Sequence, residues 1–298
     1  MKKERFILAI FAAMIAWGAS WPCNKVMIEY MGAAELVFLR YLLTALAIGV
    51  ILIVTTRKPI IDRFSLLIAL VSAPVTGVFG YLVFFGVEFG AAGLGGAFIN
   101  AVSPIVTYLL SVALFQRKAA SLDFAALAIG FSGAALMMGV LEFEANAIFS
   151  KYNLIFIAAA FLWSVVTILS AKSRVNTMVF SFYLYIFAAI GAAFFIDFRA
   201  VDLSQTDAKF WSAAVFVGVV STAFATTLFF LGSKKLGADR VSVFMFVTPA
   251  SAIASSAILL DETLSVWELL GIALSIVSVY MLNRVGVFKP KVKKSRID

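Results

Sequence analysis

Long uncharged, apolar stretches follow one another along the chain with only short polar breaks between them. Five occupy 6–24, 41–56, 64–87, 89–116 and 124–141, and five more occupy 152–171, 175–196, 210–233, 241–260 and 269–283. A spanning helix needs roughly 20 apolar residues, so the shorter stretches extend a few residues into their flanks. None alternates with the period of two that marks a half-buried strand, and a backbone cannot face lipid with its amides unpaired. Helices are therefore predicted for all ten. The expected fold is an all-α integral membrane protein of ten transmembrane helices. The opening Met1-Lys2-Lys3-Glu4-Arg5 before an apolar run has the form of a signal peptide, but nine further spans behind it make that run the first helix.

The polar breaks carry an orientation signal, because Lys and Arg gather on the cytoplasmic side of short loops. Alternate breaks hold Lys2, Lys3 and Arg5, then Arg57, Lys58 and Arg63, then Arg117 and Lys118, then Lys172 and Arg174, then Lys234, Lys235 and Arg240. With the C-terminal run from Arg284 to Arg296 they account for 19 of the 24 basic residues. The opposite breaks hold Lys151, Arg199 and Lys209 against eleven acids, among them Glu29, Glu35, Glu88, Glu142, Asp207 and Glu262. Both termini are predicted to be cytoplasmic, in a plasma membrane (the inner membrane of a Gram-negative cell). The basic tail 289–298 is expected to lie on anionic headgroups.

The two halves resemble each other at a spacing near 146 residues. Ala16-Trp17-Gly18 meets Leu162-Trp163-Ser164, Phe84-Phe85-Gly86 meets Phe230-Leu231-Gly232, and Gly90-Ala91 meets Gly237-Ala238 after a one-residue slip. Ser103-Pro104 then meets Thr248-Pro249, and Asp123 meets Glu268. Five helices per half is an odd number, so the second copy enters the membrane upside down. Charge agrees with inversion: Arg117 corresponds to Glu262 and Glu88 to Lys234, opposite signs in equivalent loops. The expected units are 1–145 and 146–288, two inverted five-helix repeats. Such repeats are a recurring plan for secondary transporters working by alternating access, although a duplication kept for packing would leave the same trace.

Composition removes most alternatives. Apolar residues make up 63% of the 298 and charged residues 13%, against about 45–50% and about 25% in soluble domains. Ten spans leave no room for a soluble domain. There is no histidine and a single cysteine, Cys23, which excludes His-based triads, His-ligated zinc, cysteine clusters and an internal disulfide. No cofactor or metal is expected. A net charge of +8 raises nucleic acid as a partner, but the basic residues sit between apolar stretches as topology signals. The expected partners are the bilayer and a small-molecule substrate, with no nucleic acid.

Polar residues inside lipid usually face a bundle interior or a cavity. In the fourth stretch Asn100, Ser103, Thr107 and Ser111 recur at helical spacing on one stripe. The Asn100 amide, near mid-depth, can donate and accept, which suits a zwitterion and equally an interhelical hydrogen bond. Pro104 and Pro249 interrupt corresponding helices beside Ser103 and Thr248. Each frees a carbonyl one turn back, around Asn100 and Met245, and paired interruptions point to a transporter site as well as to plain kinks. Trp17 and Trp163 lie too deep for a headgroup belt. Ser20, Trp21 and Asn24 share the Trp17 face, and Thr167 and Ser170 share the Trp163 face. An aromatic and hydroxyl stripe fits a pocket wall for an apolar side chain with a polar head, and fits helix packing too.

Two five-helix halves, Trp17-Gly18 followed by Lys25, the Glu35 to Arg40 start of the second helix, Ser103-Pro104, and Thr248-Pro249 running through Leu260-Asp261-Glu262-Thr263-Leu264 resemble the drug/metabolite transporter superfamily, EamA-type, over nearly the whole chain. Gln116-Arg117 departs from the Gly-Glu that the family commonly carries after its proline helix. Within the superfamily the chain looks most like the YddG-type exporters of aromatic and other neutral amino acids. The resemblance implies a central cavity lined by helices 1, 3, 4, 6, 8 and 9, which would add Tyr81 and Thr227 to the candidates.

A secondary transporter exporting neutral, aromatic or hydrophobic amino acids is the function expected. No Asp, Glu or His lies deep in a span, so a proton relay lacks parts and a facilitator is the expected mode. Lys25 and Arg40 enter the spans near their outer ends, where snorkelling or pairing with Glu29 or Glu35 is expected. A broad drug/metabolite exporter, with or without proton coupling, is the main alternative, because an aromatic cavity is permissive. A nucleotide-sugar antiporter would want several deep basic residues. An intramembrane enzyme finds no nucleophile–base pair, Gly-x-Ser-x-Gly elbow, HExxH or phosphate loop here.

Overall fold

The computed structural model of the protein describes residues 3–56, 58–89, 92–115, 120–137, 151–198, 201–251 and 266–285. Among these the regular elements are helical, without a strand. The helices are α1 Lys3–Ile28, α2 Ala33–Val54, α3 Arg63–Phe89, α4 Ala92–Phe115, α5 Ser121–Met137, α6 Lys151–Lys172, α7 Thr177–Ala193, α8 Ala208–Leu236, α9 and α10 Val266–Val285. Helix α9 opens as Ala238–Ser242 and tightens to a 3-10 turn over Val243–Val247. Among the described residues five helices are long and apolar enough to cross a membrane: α1, α2, α3, α6 and α8. Gly90-Ala91, Gln116-Arg117, the end of the ninth stretch with Leu260-Asp261-Glu262-Thr263-Leu264, and the tail 289–298 lie outside the described residues.

Side-chain caps set several helix starts. Asp62 accepts from the Phe64 and Ser65 amides at 3.1 Å before α3, Asn176 from the Met178 amide at 2.9 Å before α7, and Asp207 from the Phe210 amide at 2.9 Å before α8. Gly237, at φ +102°, turns the chain from α8 into α9 in a conformation that L side chains avoid.

The uncharged stretch that begins at 41 extends furthest into its flank. Helix α2 starts at Ala33, so Glu35 and Arg40 lie in its opening turns, as the resemblance implies. Counting uncharged residues misses this because the Arg40 side chain is buried against α8 rather than facing lipid.

Helix α8 also departs from a regular α-helix. Over Phe216–Thr226 it widens to π geometry, and Thr222 and Thr226 donate to carbonyls five residues back, Val217 O at 2.7 Å and Ser221 O at 3.3 Å. Wide turns of this kind concentrate at functional sites.

Two pairs of helices five apart in chain order pack along each other, α5 with α10 and α2 with α7. Helix α6 lies against α3 and α4, α3 also meets α7, and α8 takes up α1 and α2 in turn. Lipid supplies no hydrophobic drive between helices, so close backbone approach carries the association. At the α5–α10 seam a Cβ on Gly133 would lie 2.7 Å from Gly271 O, and one on Gly271 would lie 2.6 Å from Gly133 O.

Candidate substrate cavity

The central cavity lies where α1, α2, α3, α4, α6, α8 and the 3-10 turn of α9 converge. Its wall includes Trp17, Ser20, Trp21 and Asn24 from α1, Arg40 from α2, Phe79 and Val83 from α3, and Ile99 and Asn100 from α4. Trp163 from α6, Ser221 and Thr226 from α8, and Met245 complete it. Its volume is about 50 Å³, room for roughly three to five waters. A substrate with an aromatic side chain needs the helices to separate further.

The aromatic part is built around two indoles. The Trp17 and Trp163 rings meet edge to face, centroids 5.2 Å apart at 82°, and both touch Phe229, at 4.8 and 5.8 Å. Phe79 lies on the other side of Trp163 at 5.1 Å. Trp17 Nε1 donates to the Ser221 carbonyl at 3.0 Å, which ties α1 to the wide stretch of α8. Trp163 Nε1 is buried and has no partner. Gly96 on α4 makes room for the ring of Trp21, since a Cβ there would come within 2.6 Å of the indole.

Six of the candidate substrate-binding residues thus share this wall: Trp17, Ser20, Trp21, Asn100, Trp163 and Met245. Ser20 donates back to Trp17 O at 2.7 Å, and Asn100 Nδ2 to Gly96 O at 2.6 Å, so each spends a donor within its own helix. Ser103 belongs to the α4–α6 seam, donating to Ala160 O at 3.3 Å, while Ser164 donates to Ser103 O at 3.1 Å. Thr167 is buried off the cavity and donates to Trp163 O at 2.8 Å, and Thr248 sits against the Met14 sulfur at 3.5 Å. Pro104 and Pro249 are buried in α4 and α9 and do not line the wall. Tyr81 lies elsewhere: it is 43% exposed and lines an outward apolar groove with Gly77, Phe187 and Gly191. Thr227, which the resemblance adds, is not on the wall; its neighbour Thr226, the last residue of the wide stretch of α8, is.

Arg40 departs most from expectation. It is 9% exposed, lines the cavity, and donates from Nε to Thr222 Oγ1 at 2.9 Å. Neither expected carboxylate reaches it: Glu35 folds back over Gly32 at the start of α2, and Glu29 pairs with Lys209 at 4.0 Å. Lys25, by contrast, donates to Val87 O at 3.1 Å and is exposed. Asn24, Ser221 and Thr226 also join the wall. The Trp17 stripe includes Asn24, whereas Arg40 and the α8 hydroxyls become visible only once α2 and α8 are seen in contact.

Polar contacts join helices and loops at both ends of the bundle. At the α1–α2 end, Tyr30 donates to Asp207 Oδ2 at 2.9 Å. The Phe210 amide and the Tyr30 hydroxyl hold the Asp207 carboxyl below its ordinary range, and Asp207 in turn raises the Tyr30 phenol. At the opposite end the Arg174 amide donates to Ser65 Oγ at 2.9 Å, its guanidinium lies 4.2 Å from the Phe64 ring centroid, and Tyr183 donates to Pro59 O at 2.8 Å.

Comparison with known proteins agrees with this architecture. The chain is 23% identical to the uncharacterized transporter YetK of Bacillus subtilis (strain 168), over 98% of this chain and 88% of that protein. It is 26% identical to the uncharacterized transporter YvbV of the same organism, over 95% and 93%. A solved crystal structure of a protein at 17% identity superposes with a TM-score of 0.75 over 94% of this chain and 96% of its own, a likeness of fold. The profile of the EamA-like transporter family matches twice, over residues 5–139 and 150–284. The chain therefore belongs to the EamA-like transporter family, as a multi-pass membrane transporter of helical fold.

Proposed function

We propose that the protein is a facilitator that exports neutral amino acids with aromatic or large apolar side chains, working by alternating access like the YddG-type exporters it resembles. Two inverted five-helix repeats, 1–145 and 146–288, enclose the cavity, with both termini cytoplasmic and the tail 289–298 on the inner leaflet. The observation that carries this reading is the meeting of Trp17 and Trp163, equivalent under the 146-residue spacing, on the wall of one cavity fed by helices from both halves. The pairing of α5 with α10 and of α2 with α7 supports a pseudo-twofold relation, since each pair maps onto itself when helices are advanced by five. The loop charges support the orientation.

The cavity wall contains no Asp or Glu among the described residues, and the chain has no histidine. A proton-coupled cycle would need a group there that changes charge near neutral pH. Export then follows the substrate's own gradient.

Efflux of labelled tryptophan, phenylalanine, methionine, threonine and a cationic drug from proteoliposomes tests this, with and without an imposed pH gradient, for the native chain and Trp163→Ala. Saturable amino-acid efflux that ignores the pH gradient and weakens in the variant is expected. Movement of the drug alone would favour a broad drug exporter. Flux that follows the pH gradient would overturn the facilitator mode.

A further inference from the structure

Among the described residues Arg40 is the one charged residue on the wall of the central cavity. A guanidinium offers five N–H donors, and the hydrogen bond Arg40 makes among the described residues uses Nε alone. Its acceptor is fixed in that role: Thr222 Oγ1 gives its own proton to Val217 O at 2.7 Å, a bond that the wide helical turn allows, and so faces Arg40 with lone pairs. The Tyr41 ring, 5.9 Å away, is a second weak partner. No carboxylate among the described residues is within ion-pair distance of Arg40.

A cation inside a membrane protein is costly unless paired. The side chain is nonetheless held in place through Nε, and its remaining N–H groups make no hydrogen bond to a protein acceptor among the described residues. An anion from outside the protein is the partner this arrangement lacks. The same wall carries Asn24, 2% exposed, whose Oδ1 is buried without a donor. The rings of Trp17, Trp163 and Phe79 belong to the same wall. A planar cationic fork, a neutral acceptor and an aromatic wall match in turn a carboxylate, an ammonium and an apolar side chain.

We propose that Arg40 binds the substrate carboxylate and Asn24 its ammonium, so that the cavity selects α-amino acids over the corresponding amides and amines. This rests on the reading of the cavity as the transport site for amino acids. Selection has a repulsive side as well as an attractive one: an amine without a carboxylate brings a positive charge to a guanidinium that stays unpaired. Thr222 positions Arg40 from α8, which makes carboxylate capture sensitive to how α2 and α8 sit against each other.

The test uses the full chain in proteoliposomes, with labelled tryptophan efflux competed by unlabelled L-tryptophan, L-tryptophanamide, tryptamine and indole-3-propionate. A charge-assisted hydrogen bond is worth about 1.5–3 kcal/mol, so tryptophan should compete at least about tenfold better than its amide or tryptamine. Indole-3-propionate, which keeps the carboxylate alone, should compete measurably. In Arg40→Gln the preference for carboxylate over amide should collapse, and the KM for tryptophan should rise by about tenfold or more, with the melting temperature in detergent little changed.

An amide that competes as well as tryptophan on the native chain, or an Arg40→Gln variant with an unchanged KM, overturns the assignment. If Arg40→Gln fails to fold, the native competition series decides, since it needs no variant. If the native chain moves no amino acid, the proposed function fails while the anion site stays testable through ligand-induced stabilisation. A rise in melting temperature with indole-3-propionate but not with its amide upholds the site, and no rise with either overturns it.

Discussion

Trp17 and Trp163, 146 positions apart in the chain, stand edge to face at the centre of the bundle with ring centroids 5.2 Å apart. Their surroundings differ where chemistry is concerned. The Trp17 indole donates to Ser221 O, whereas the Trp163 indole donates to nothing although it is buried. The same residue type thus holds α1 to α8 in one half and offers a free donor at the cavity in the other.

Trp163→Phe should keep most of the ring contacts with Trp17, Phe79, Phe229 and Phe230 while removing the unpaired N–H. An unsatisfied buried donor costs stability, so the melting temperature in detergent should stay level or rise. If the substrate accepts from Nε1, its KM should rise by about two- to tenfold, as expected for one neutral hydrogen bond. A large fall in melting temperature would show that the indole is held by something other than its rings.

Trp17→Phe should behave in the opposite way. It deletes the bond to Ser221 O and leaves that carbonyl, in the wide part of α8, with the longer bond from the Thr226 hydroxyl at 3.3 Å, so a loss of about 1 kcal/mol is expected. Reversible denaturation in mixed micelles would measure it. An unchanged midpoint would mean that α8 recovers the acceptor by other means.

Gly133→Ala should splay α5 from α10, because the new methyl would meet a backbone carbonyl and a backbone amide, Gly271 O at 2.7 Å and Ser275 N at 2.9 Å. Overpacking of this kind costs about 1–3 kcal/mol. Gly271→Ala strikes the same seam from the other side, so the double variant should lose less than the sum of the two. Strict additivity in the melting of the three variants would argue that the helices do not yield together.

The contact between Tyr30 and Asp207 should persist over a wide pH range. The Asp207 carboxyl is held below its ordinary 3.8, so its contribution is present above that value and is lost as pH falls through the depressed one. The Tyr30 phenol is raised above its ordinary 10.0, so its contribution is present below 10.0 and is lost as pH rises through the raised value. Efflux measured between pH 5.5 and 8 should therefore not report on this contact. Asp207→Ala should lower the melting temperature at pH 7 more than Asp207→Asn, which keeps an oxygen for the Phe210 amide. Equal effects would mean that the cap matters less than the charge.

Ten apolar stretches, the loop charges, the internal similarity and the stripe of Trp17, Ser20, Trp21 and Asn24 are all local or periodic features, and lipid makes them informative. A bilayer leaves the backbone little choice but helix, and a helix fixes which residues share a face. Family membership and most of the α1 contribution to the cavity were therefore determined by the sequence alone. Arg40 was not. Its burial depends on α8 arriving with Thr222 turned towards α2, and that arrival depends on a π-helical stretch that apolar patterning does not encode. Thr226 stands on the wall where the resemblance adds Thr227, and Tyr81 lines an outward groove between α3 and α7. Periodicity along one helix says which residues lie together. Only the contacts between helices decide which of those faces is buried, and whether a charge on it finds a partner or is left to meet a substrate.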